Sequence, residues 1–96
     1  MKSFIFRPDA AADVDEAYRW YEGQRLGHGD AFLAAVQATL AMIGDWPLAF
    51  QILHRNTRRA LIDRFPYGVF YRVYENEIVV VAIMHARQHP RKWQRR

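Results

Sequence analysis

The residues able to do chemistry crowd toward the end of the chain. His85, Arg87, His89, Arg91, Lys92, Trp93, Arg95 and Arg96 fall within the final twelve positions, and Arg58, Arg59 and Arg64 precede them. Imidazole titrates near neutral pH, so His85 is the candidate base for removing a proton from a ribose 2′-hydroxyl. Arg87 stands two residues on, which on a strand would put both side chains on one face. Arg59 or Arg64, from a neighbouring segment, would hold a phosphate through a bidentate guanidinium. Trp93 would stack on a base. Together these groups describe RNA cleavage without a metal. One part is missing, because no second residue supplies the acid for the leaving oxygen. His85 is therefore read first as a strand-end histidine bonded to backbone, and second as a base.

His85 and His89 also have the i, i+4 spacing that suits zinc on a helix. Here they flank a strand end just before Pro90, no Asp, Glu or Cys follows Glu77, and the surrounding arginines repel a cation. No metal site and no cofactor is expected.

The charge itself is sorted. Residues 1–57 carry five Lys/Arg against seven Asp/Glu, a balance of −2, whereas residues 58–96 carry nine against three, a balance of +6. Sorting of this kind points to one end of the molecule that faces nucleic acid or an acidic protein partner. The chain has 96 residues, which is one domain with a thin core. It has no cysteine, no apolar run long enough to span a bilayer and no apolar leader, so a reducing, cytoplasmic setting is expected.

Elements to position these groups can be read in order. Lys2–Arg7 is a short aromatic strand ended by Pro8. Asp9–Arg25 repeats apolar residues at helical spacing (Ala10, Val14, Ala17, Tyr18, Tyr21) with charges mostly opposite. Gly27 and Gly29 break it, and a second helix is expected from Asp30, as N-cap, to Gly44, with Phe32, Leu33, Val36, Leu40 and Ile43 buried. The two form an antiparallel hairpin. Residues 45–57 stay open, with Phe50–Leu53 either a short strand or a packed loop. Arg58–Phe65, Gly68–Tyr74 and Ile78–Met84 read as strands. The last is apolar on both faces and is placed centrally. The predicted class is α+β, in the order β-α-α-β-β-β. The helical hairpin packs on one face of a small, mainly antiparallel sheet, the first strand adds to an edge, and a basic tail follows.

Two tryptophans leave alternatives open. Trp93 either folds back to pin the tail or touches a target, and Trp20 on the first helix either closes the core edge or marks a partner surface. Arg58 and Arg59 point to opposite faces if Arg58 starts a strand, so one meets a partner or phosphate and the other is solvated or paired with Glu75 or Glu77.

The element order, the Arg58-Arg59 pair, Arg64-Phe65-Pro66-Tyr67, the opening Pro8-x-Ala10-x-x-Asp13 and the ending His85-x-Arg87-x-x-Pro90-x-x-Trp93 resemble the RelE/ParE superfamily of small bacterial toxins over essentially the whole chain. The resemblance implies a type II toxin–antitoxin system and a cognate antitoxin. It also implies one of two targets: messenger RNA in the ribosomal A site for RelE-like nucleases, or DNA gyrase for ParE-like binders. Arg87 matches the nucleases' C-terminal arginine. Trp93 stands where their tyrosine would be, Gly68 where another arginine would be, and Arg59 and Leu61 where a lysine pair would be. The ending with Pro90 and Trp93 looks more ParE-like. Three readings follow: a ParE-like gyrase binder, a ribosome-dependent nuclease using His85 and Arg87, and an inactive relative that binds only antitoxin or nucleic acid. For the first, the candidate contacts are Trp20, Arg58, Arg59, Arg87, His89 and the tail residues Arg91, Lys92, Trp93, Arg95 and Arg96. The antitoxin is expected to bury an apolar groove between the hairpin and the sheet.

Overall fold

A computed structural model of the protein describes residues 2–96. The elements are β1 (Ser3–Phe6), α1 (Pro8–Gln24), α2 (His28–Asp45), β2 (Gln51–His54), β3 (Thr57–Leu61), β4 (Tyr67–Val73), β5 (Glu77–His85) and the short α3 (Arg91–Gln94). The five strands form one sheet in the order β1-β5-β4-β3-β2, with β1 parallel to β5 and the other pairs antiparallel. This is the predicted α+β arrangement with its helical hairpin on one face.

The hairpin forms because each helix carries one apolar stripe. Ala10, Ala17 and Tyr21 of α1 and Phe32, Val36 and Ile43 of α2 are buried against Ala60, Ile62, Val69, Tyr71, Ile78, Val80 and Ile83 of the sheet. Pro8 stands in the first turn of α1, where its missing N–H costs nothing. At the sheet end near the helix turn, Tyr21 stacks on Phe32 with ring centroids 5.2 Å apart, and Phe65 meets Tyr21 edge-on at 5.0 Å.

The turn between the helices departs from expectation. Asp30 is not the N-cap; α2 starts two residues earlier, after Gly27 in left-handed conformation (φ 86°). The orphan amides are met instead by Glu22 of α1. Its two carboxylate oxygens accept from Gly27 N (3.0 Å) and Gly29 N (2.9 Å). A charged acceptor that reaches across from the preceding helix satisfies more donors than a local Asp could. Gly29 sits where a Cβ would come within 2.9 Å of the Tyr18 ring, so the helices cross too closely for a side chain there.

Three other differences concern the sheet. Phe50–Leu53, left open by the sequence, largely becomes β2, pairing with β3 through Gln51↔Arg59 and Ile52↔Arg58. Ile78–Met84 lies inside β5, which is covered on both faces but is not the middle strand; β4 is. The tail is not simply an arm leaving β5. It folds back as α3 and delivers Trp93, only 5% exposed, onto the sheet face opposite the hairpin, where it joins Phe70, Val81 and Ala82 in a second small core. Trp93 and Phe70 stack with centroids 4.9 Å apart.

A bulge reverses the alternation of β5 part-way along the strand. Phe70 pairs with Ala82 and Tyr71 with Val80, leaving Val81 without a partner. Among the described residues, no helix is long and apolar enough to cross a membrane.

Candidate functional site

The nuclease candidates do not converge. β5 ends at His85, so Arg87 lies in the turn beyond it and the i, i+2 strand argument does not apply. Past the bulge, Ile83 and His85 reach the helix side. There His85 lines a cleft with Asp13, Glu16, Tyr21, Tyr67 and Lys92, and its Nδ1 accepts a bond from Arg87 N at 3.1 Å. This is the backbone-bonded strand-end histidine. Burial first, and then the charges of Glu16 and Asp13, raise the pKa of the Tyr67 phenol beside it.

Arg59 lies on the opposite face of the sheet. Its register partner is Phe70, and its alkyl stem covers Gly68 so closely that a Cβ there would meet its Cγ at 2.9 Å. Its Nη1 reaches Ala86 O at 3.5 Å. Arg64 is exposed in the β3–β4 turn, left-handed at φ 69° and beside Asp63. Arg58 is on the helix side, donating to Phe50 O at 2.8 Å and Leu48 O at 3.2 Å. Arg58 and Arg59 thus do point to opposite faces, and neither pairs with Glu75 or Glu77. The main-chain carbonyls of the loop between α2 and β2 hold Arg58 in place instead.

The remaining sequence candidates divide as well. Trp20 is 58% exposed on α1, edge-on to Tyr21 and on the wall of the same cleft as His85. His89 Nδ1 accepts from Arg91 N at 3.2 Å, starting α3. Lys92 faces the helix-side cleft, whereas Arg91 and Arg95 face the other side of the tail. Trp93 is withdrawn into the second core, its ring face occupied by Phe70. Arg96 is largely covered, with its guanidinium on Asp13 and its main-chain oxygen taking bonds from Arg7 and Arg72. The cationic segment therefore forms no single pole. Among the described residues no group of three His, Asp or Glu stands close enough to hold a metal ion.

Two features escaped the sequence reading. The first is Asp13, which the helical pattern assigned to the outer face but which sits half-buried against β5. The opening motif Pro8-x-Ala10-x-x-Asp13 was the signal available for it. The second is a cleft on the face opposite the hairpin that gathers Arg55, Arg72, Arg91 and Arg95 from the β2–β3 turn, β4 and the tail. Only the alternation of β4 hinted at it, since Arg72 has the parity opposite to Val69 and Tyr71.

A third surface is apolar. A groove of about 1130 Å³ runs between α2 (Ala31, Ala34, Ala38, Met42) and the end of β3 (Leu61, with Phe65 beyond). Met42 and Leu61 are 55% and 61% exposed in it.

A search of curated protein sequences found no significant match. A solved structure described as "Chromosomal ParDE TA system from P. aeruginosa" is similar in fold, with a TM-score of 0.65 and 24% identity over 88% of this chain and 96% of that one. The family model described as "ParE toxin of type II toxin-antitoxin system, parDE" matches residues 4–90. That span runs from within β1 to the residue before α3 and takes in both helices of the hairpin and the whole of β2 to β5. With nearly the whole fold matched, the chain belongs to the ParE toxin family, the toxin side of type II toxin–antitoxin systems.

Proposed function

We propose that this chain arrests bacterial growth in the cytoplasm by binding DNA gyrase, and that a cognate antitoxin neutralises it. The observation that favours binding over RNA cleavage is the separation of the candidate catalytic groups. His85 opens to the helix side with its Nδ1 engaged by Arg87 N, while Arg59 lies on the other side of the sheet. A base and a phosphate clamp on opposite faces cannot act on one phosphodiester, because concerted proton transfer needs both within hydrogen-bond reach.

The antitoxin reading is supported by the groove beside α2. Its alanines let a partner backbone approach closely, while Met42 and Leu61 offer apolar contact and Arg25 stands at its rim to receive an acidic residue, Arg64 being beside Asp63.

Inducible expression in a bacterium without the antitoxin tests the reading, with gyrase-linked DNA breaks and mRNA integrity followed in parallel. Stalled DNA cleavage complexes with intact messages are expected. Cleaved messages with undamaged DNA would transfer the chain to the nuclease reading, and normal growth would leave an inactive relative.

A further inference from the structure

The face opposite the hairpin carries a cleft of about 410 Å³ whose lining includes Arg55, Arg72, Arg91 and Arg95, with His54 and Asn56 beside them. No carboxylate lines it, and neither does any apolar side chain. Among the described residues the ion pairs are Arg19–Asp15, Arg64–Asp63 and Arg96 with Asp9 and Asp13, all elsewhere. Among the described residues, then, no side-chain carboxylate pairs with the four guanidiniums of the cleft, and only the main-chain oxygen of Arg96 reaches one of them, Arg72.

The cleft is also organised. Arg72 is held at its base, with Nε donating to Thr57 Oγ1 at 3.0 Å and Nη1 to Arg96 O at 3.4 Å, which leaves Nη2 without a protein acceptor. Thr57 is itself buried at 1% exposure, so this anchor is fixed. Arg55 occupies the β2–β3 turn in left-handed conformation (φ 51°), uncommon for a residue with a side chain. Arg91 and Arg95 come from the opposite wall, which the Trp93–Phe70 stack holds against the sheet.

We propose that this cleft binds a phosphate group, that of a nucleic-acid backbone. Guanidinium forks match phosphate oxygens in bidentate geometry, and several forks around one concave space fit one tetrahedral anion better than a row of separate charges. The volume falls within the ordinary range for small-ligand sites. An acidic peptide is the less suitable occupant, because peptide recognition draws on buried apolar or aromatic anchors and the lining provides none. The inference rests on the fold and on this cleft, not on gyrase as the target.

The test is binding of a short labelled oligonucleotide, single-stranded and duplex, to the purified protein over a range of salt. Arg55→Ala/Arg91→Ala is compared with the charge-matched Lys2→Ala/Arg19→Ala, which lies away from the cleft. The cleft variant is expected to bind at least about ten-fold more weakly and to lower the salt slope by about two, with the control close to wild type. Equal losses in both variants would mean a diffuse charge effect and overturn the proposal. Tighter binding of a glutamate-rich peptide, lost in the same variant, would also overturn it, as would a protein that binds inorganic phosphate but fails to bind the oligonucleotide. Arginine side-chain NMR signals of the wild-type protein keep the test open should the variant not fold. Shifts on oligonucleotide addition confined to Arg55, Arg72, Arg91 and Arg95 support the site, and shifts spread equally over Arg58, Arg59 and Arg87 refute it.

Discussion

Arg96 grips Asp13 with both ends of its guanidinium, Nη1 to Oδ2 at 2.5 Å and Nη2 to Oδ1 at 3.2 Å, although the two are 83 residues apart. The same carboxylate accepts Ile83 N at 3.0 Å, and Arg96 Nη1 also reaches Val81 O at 3.3 Å. β1 pairs with β5 only up to Val80. Beyond that point, the helix carboxylate and the tail guanidinium take bonds that a neighbouring strand would have made. Both side chains are largely covered, at 15% and 19% exposure.

Asp13→Ala should therefore cost more than a surface ion pair. It strands the Ile83 amide and leaves a part-covered guanidinium without its partner, a loss of about 2–4 kcal/mol by urea denaturation. A double-mutant cycle with Arg96→Ala should show coupling above about 1 kcal/mol. Simple additivity would mean that the grip does not form in solution.

Trp93→Ala should destabilise by about 3–5 kcal/mol, the range for emptying a buried aromatic site, while Trp93→Phe, which keeps a ring against Phe70, should cost clearly less. Unfolding curves for the two variants check this. If Trp93→Ala were as stable as wild type, the second core would not be a core, and any lost toxicity would belong to target contact.

Alkaline pH should loosen the fold through Tyr71. Burial raises its pKa from 10.0 to about 12, against a smaller lowering by Arg58, and its hydroxyl donates to Pro47 O at 2.7 Å. Below pH 10 the phenol is neutral in both states and its full contribution is present. As pH rises toward 12 the unfolded chain ionises while the folded one resists, so stability falls across that window. Tyr71→Phe should be weaker at neutral pH yet show a shallower alkaline decline. Parallel declines would assign the effect to other groups.

Leu61→Asp places a charge in the groove beside α2 at a position already exposed. Stability should change by less than about 1 kcal/mol, whereas antitoxin affinity should fall by at least about ten-fold, as expected for a charge set into an apolar contact. Calorimetric titration of the variant with the antitoxin measures it. An unaltered affinity would move the antitoxin to another face.

Much of the scaffold was legible because stripes at helical spacing have few alternatives. Val14, Ala17 and Tyr21, then Phe32, Val36 and Ile43, could only be two helices with a common face to bury. The four-residue β2 and α3 were not legible, since segments that short owe their form to tertiary partners: β3 for one, Phe70 for the other. The α2 start was misplaced because Asp30 has the better local chemistry for a cap, while the actual acceptor, Glu22, works across a turn. The amount of positive charge was plain from the sequence. Its distribution was not, because Arg55, Arg72, Arg91 and Arg95 meet only through the sheet register and the return of the tail.

The bulge in β5 decides which side of the sheet its histidine serves. Strand side chains alternate, and one supernumerary residue reverses the parity of all that follow. Val80 and Ile83 both face the helices although three positions apart, and His85 follows Ile83. In a strand of unbroken alternation, the fifth residue after Val80 would stand over the face that carries Arg59 and Arg72. A chain of this architecture can thus bring an imidazole to its sheet arginines, or divorce it from them, through a backbone irregularity alone, with neither residue type exchanged.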